Sequence, residues 1–88
     1  DFSIANLPGA DFKNANLTKV SFGGAILHDA DLSGATLTGV HLKGAHLEGV
    51  NLSGADLRGA TIRRVRLQGI VHDETTLWPE GFDLRRLS

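Results

Sequence analysis

At 88 residues the chain has room for one small domain. Nine Lys/Arg against ten Asp/Glu leave a net charge of −1, which excludes a basic nucleic-acid-binding tail and a polyanion alike. Cysteine is absent, ruling out disulfides, Cys-ligated zinc and thiol catalysis, and no apolar run reaches the roughly 18 residues of a membrane helix.

From Phe2 onward, every fifth residue is large and apolar: Phe2, Leu7, Phe12, Leu17, Phe22 and so on without a gap through Ile62 and Leu67. Two residues before each, from Ala5 and Leu7 onward, stands Ala or Val, and Gly gathers two residues after, as at Gly34, Gly44 and Gly54. A period of five fits neither regular element. On a helix, five residues advance a side chain by about 140°, so the Leu set would wind around the cylinder. In a continuous strand an odd period sends successive Leu to opposite faces. A chain that bends the same way once in every five residues keeps them all inside. Each unit is then a short extended stretch with its small residue and its Leu pointing inward, followed by a turn whose positive φ glycine supplies.

Units such as Ala30-Asp31-Leu32-Ser33-Gly34 and Ala55-Asp56-Leu57-Arg58-Gly59 resemble the pentapeptide-repeat family over residues 1–70. The resemblance implies an all-β fold: a right-handed, four-sided parallel β-helix with one unit per side and twenty residues per coil. That predicts about 3.5 coils and a rod roughly 17 Å long. Phe2, Phe12 and Phe22 fill the first coils, Ile26 replaces an outward polar residue, and Ile4 and Arg64 stand where Gly is usual. The turn at Arg64 is therefore expected to be of another type.

After Ile70 the pattern stops, and residues 71–88 form a capping tail. Its segment Asp73-Glu74-Thr75-Thr76-Leu77-Trp78-Pro79-Glu80-Gly81-Phe82-Asp83 looks like the tail of many cyanobacterial members of that family, with His72 in place of the expected aromatic residue. The last coil of a solenoid exposes apolar edges and unpaired backbone, so Leu77, Trp78 and Phe82 are expected to form a lid. Asp83 is placed to cap a helix beginning at Leu84. No comparable lid precedes Phe2. That end, with Phe2 and Phe12, is a candidate surface for end-to-end, two-fold self-association.

The residues offer little chemistry. Four histidines occur at 28, 41, 46 and 72. His41 and His46 diverge across a corner, and no metal or other cofactor is expected. Asp11, Asp31 and Asn51 stack at intervals of twenty, as do Asn16, Thr36 and Asp56, but on a flat wall with no cleft to perturb a carboxyl group. No nucleophile, base and orienting residue converge, so the chain is not expected to be an enzyme. One surface feature stands out: His41, Lys43, Arg63, Arg64 and Arg66 make a basic corner, with Asp73 and Glu74 of the tail as candidate neutralising partners.

The expected function is a non-catalytic scaffold or protein-interaction module within a longer bacterial protein, a reading that the missing initiator Met and the uncapped first coil support. Its partner would be a protein, with no nucleic acid and no membrane involved. The cytoplasm is the default compartment, since no export segment is visible. The resemblance also raises an alternative, mimicry of duplex DNA to bind a type II topoisomerase and protect gyrase. DNA carries about one negative charge per 1.7 Å, so a mimic of this length needs roughly ten. Residues 1–70 hold six acidic against seven basic side chains, which speaks against it.

Overall fold

The computed structural model describes residues 1–87. Every unit but the one at Ile62 closes a tight turn in which the carbonyl of the large apolar residue accepts the N–H three residues on, as from Ala35 to Leu32 (3.1 Å) and from Ala45 to Leu42 (2.9 Å). The third turn position lies in the left-handed region, with φ of 67° at Gly34 and 72° at Gly44. That is the requirement of a type II turn, and it explains the glycine column.

Between turns the chain is extended for too few residues to form a strand, and each unit contributes one bridge residue. These bridges are parallel and join residues twenty apart: Asn6 with Ile26, Asp11 with Asp31, Asn16 with Thr36, and Ser21 with His41. One circuit of the chain thus crosses four bridge columns, giving a parallel β-helix. Backbone hydrogen bonds run between successive circuits, with Phe22 N–H donating to His41 O (2.7 Å) and His41 N–H to Val20 O (3.0 Å). The molecule measures 27 × 23 × 20 Å, nearly as wide as it is long.

The side chains two apart in each unit face the axis together. Leu27, Leu32, Leu37, Leu42, Leu47, Leu52 and Leu57 are buried, with Ala25, Ala35, Val40, Ala45 and Val50 beside them. Each such Leu contributes about 1.5–3 kcal/mol of burial free energy. At the first end three rings replace the Leu stack: Phe2 stacks on Phe22 at 5.2 Å, and Phe12 meets both edge-on at 5.6 and 5.7 Å.

Asp and Asn recur just before the large apolar residue for a local reason. Their Oδ1 accepts the N–H two residues on, which the circuit leaves free: Asp31 from Ser33 (2.9 Å), Asn51 from Ser53 (3.0 Å), Asp56 from Arg58 (3.1 Å). This is the Asx turn. Where a side chain adds its own hydrogen bond to the turn, the carboxyl group is held below the usual range. Asp31 is lowered by the Ser33 hydroxyl and then its N–H, and Asp56 by the Arg58 side chain.

Departures from the repeat leave visible marks. Ile4 has φ of 62° and is 81% exposed, a strained position for a β-branched residue. Arg64 also has positive φ (56°), and its turn is a bend in which no Val65 N–H to Ile62 O bond forms among the described residues.

The ladder runs beyond the boundary expected at residue 70. Val71 bridges Asn51 at the regular interval of twenty, and Leu77 bridges Asp56 after twenty-one, so the tail holds one extra residue. The insertion carries Thr76 into the inward position otherwise held by Ala or Val. Buried there, its Oγ1 donates to Leu52 O (2.9 Å) and accepts from Asp73 N–H (3.1 Å). The expected helix is a short 3-10 turn, Leu84–Leu87, started by Asp83 Oδ1 accepting the Arg85 N–H at 2.9 Å. Ser88 lies outside the described residues.

Candidate functional site

The walls of the β-helix put every outward side chain into a column with its counterparts twenty residues away. Lys43 and Arg63 share one column, since Gly24 N–H bonds Lys43 O and Gly44 N–H bonds Arg63 O in consecutive circuits. His41 bridges Thr61 beside them, and Arg66 bridges His46 on the next column. His41, Lys43, Arg63, Arg64 and Arg66 are all exposed.

Among the described residues none of these five has a carboxylate within 4 Å, although cations elsewhere do have partners. Lys13 lies 4.0 Å from Asp31, Arg58 binds Asp56 through two nitrogens, and Arg86 sits over the Phe82 ring at 5.3 Å. Asp73 does not serve the corner. Its carboxylate accepts the hydroxyl (2.6 Å) and N–H (2.9 Å) of Thr75, bonds that lower its pKa. The reason lies in the period: Asp73 falls in the column of Ser33 and Ser53, half a circuit from Lys43 and Arg63.

Of the three residues expected in the lid, Trp78 and Phe82 stack at 4.8 Å and 9° and pack against the core. His72 meets Trp78 edge-on at 5.8 Å. Leu77 does not join them: the inserted residue puts it in the outward bridge position, 43% exposed. At the other end Phe2 and Phe12 are partly buried against the core.

The sequence reading leaves the four histidines ungrouped, but His46 lies beside His28, with ring centroids 5.8 Å apart. Glu48 completes the group, its Oε1 3.3 Å from His28 Nε2. The ligating atoms of His28, His46 and Glu48 lie within 4.8 Å of one another, and all three residues are half-buried. The signal was present in the sequence: His28 and Glu48 are twenty apart, and His46 and Glu48 flank the inward Leu47 on one outward face.

A family model for pentapeptide repeats matches residues 1–34 and 30–69, with eight copies. No curated protein sequence matches the chain. Among solved structures, a pentapeptide repeat protein from the thylakoid lumen of Arabidopsis thaliana is 39% identical, with a TM-score of 0.77 over 80% of this chain and 49% of its own. The chain thus spans about half the length of that protein. A pentapeptide repeat protein from Nostoc is 34% identical, with a TM-score of 0.58 over 93% of this chain and 72% of its own. A plasmid-mediated fluoroquinolone resistance protein shares the fold at 24% identity and a TM-score of 0.53, over 84% of this chain and 44% of its own. With bridges every twenty residues, an inward Leu every five and these relatives, the chain belongs to the pentapeptide repeat family and folds as its right-handed β-helix.

Proposed function

We propose that the chain is a non-catalytic protein-interaction module, and that the basic corner is its docking face for an acidic partner segment. One observation carries this reading: His41, Lys43, Arg63, Arg64 and Arg66 share a rigid corner and, among the described residues, have no internal carboxylate partner. The stiff wall fixes the spacing of these charges, so docking costs side-chain freedom but no backbone ordering, and a partner's charges must match that spacing. The test is capture from an extract of the source organism, with the wild-type chain and with Lys43→Glu/Arg63→Glu as baits. A partner retained by the wild type and lost by the variant supports the corner. The same proteins on both baits overturn it.

Self-association through the first end is a second reading, motivated by the partly buried Phe2 and Phe12 beside the exposed Ile4. Light scattering over a concentration series tests it, with a dimer that Phe2→Ser disrupts as the expected result and a monomer throughout as its refutation. Mimicry of DNA toward a type II topoisomerase is not favoured, because six acidic against seven basic residues in 1–70 give the walls the wrong charge. We also read the tail as a cap of cyanobacterial type closing about 3.5 coils. The Nostoc match supports this, since its 93% coverage extends beyond the repeats that the family model matches.

A further inference from the structure

We infer that His28, His46 and Glu48 form a binding site for one borderline divalent cation such as Zn2+, with two imidazoles and a carboxylate as ligands. The three side chains come from consecutive circuits and meet on one wall, away from the lid. His28 Nε2 and Glu48 Oε1 face each other at ion-pair distance, 3.3 Å, yet both are shielded from solvent and, among the described residues, neither makes a hydrogen bond. Two polar atoms shielded together with no hydrogen bond between them or to others are costly, and a cation held between them removes that cost. In a tetrahedral zinc site with bonds of about 2.0–2.1 Å, neighbouring ligand atoms stand about 3.3–3.5 Å apart. The His28–Glu48 pair already has that spacing, and a modest turn of the His46 ring closes the third edge from within 4.8 Å.

The surroundings decide which ion fits. Two imidazoles with one carboxylate suit Zn2+, Co2+ or Ni2+, whereas Ca2+ and Mg2+ require more oxygen ligands. Glu48 offsets part of the ion's charge, and the Asp29 carboxylate, lying over Gly49, adds negative potential close by. Arg66, bridged to His46, is the nearby cation that opposes binding. Three protein ligands leave a fourth position for water or a donor from a partner.

The test is calorimetric titration of the 88-residue chain with zinc chloride in a non-coordinating buffer, with cobalt(II) as a spectroscopic probe. One ion per chain is expected, together with visible cobalt bands of a four-coordinate site. Glu48→Gln and His28→Gln should each weaken binding by about a hundredfold and abolish the cobalt bands, while leaving the far-UV spectrum unchanged. His72→Gln, at the far end of the chain, should bind like the wild type. The site is overturned if millimolar zinc gives no saturable binding, if both ligand variants bind as the wild type does, or if His72→Gln loses binding equally.

Discussion

Gly49→Ala should destabilise the protein through two separable effects, and Gly9→Ala through one of them alone. Both glycines lie in the left-handed region, with φ of 74° and 71°. Forcing Ala there costs about 1–2 kcal/mol. The stiffer unfolded chain returns about 0.4–1 kcal/mol, leaving a net loss of roughly 0.5–1 kcal/mol. At Gly9 an added Cβ meets nothing within 4 Å, so that is the whole effect. At Gly49 the new methyl group would overlap Asp29 Oδ1 and stand 3.3 Å from Asp29 Cγ. The carboxylate must leave its rotamer, at a further cost of about 0.5–1.5 kcal/mol. Urea unfolding followed by circular dichroism measures both losses, with unchanged m-values as the check that the end states are comparable. In an Asp29→Ala background the obstruction disappears, and Gly49→Ala should cost no more than Gly9→Ala. Equal losses for the two single variants, or no coupling between positions 29 and 49, would refute the stacking geometry from which the figures follow.

The tail and the carboxylates give three more expectations. Trp78→Ala removes a half-buried ring stacked on Phe82 and should cost about 2–3 kcal/mol in the same unfolding assay. Thr76→Val leaves the Leu52 carbonyl and the Asp73 N–H without their shared hydroxyl and should cost about 1–3 kcal/mol, whereas Thr76→Ser should restore most of it. Asp31, Asp56, Asp73 and Asp83 all have lowered pKa values in the fold, so their ionised forms favour the native state. That contribution is complete above the unfolded carboxyl range and is lost as pH falls through the lower folded values. The melting temperature should therefore stay level from about pH 7 to 5 and drop below about pH 4. Asp31→Asn keeps the Oδ1 acceptor, as Asn51 does in the same column, and should make that acid limb slightly shallower.

The β-helix was legible because its information is periodic. Leu at every fifth position excludes helix and strand together, and once the bend is placed, the glycine column and the intervals of twenty between stacked residues follow from it. The tail was less legible because a single inserted residue is invisible without a bridge partner to count against. That residue turns Leu77 outward and puts Thr76 in the core, in a ladder that Val71 has already carried past residue 70 at the regular interval. The basic corner was readable by adding twenty to Lys43. The cluster of His28, His46 and Glu48 follows from the same addition, since adding twenty to His28 gives Glu48, but the signal is hidden when His46 is read beside its neighbour in sequence, His41.

That difference points to how a fold of this kind acquires function. Its interior is spent on repeated inward pairs of one large and one small residue, and its turns on glycine and Asx bonds. What remains variable is the outward face, where a residue's neighbours are its counterparts twenty before and twenty after, and those two places along the same extended stretch. Lys43 over Arg63 concentrates charge with no carboxylate partner among the described residues, His28 over Glu48 pairs a base with an acid, and Asp31 over Asn51 keeps a turn closed. A chemical group in such a protein arises when two or three columns change together, and the wall holds it at spacings that the backbone ladder has already set.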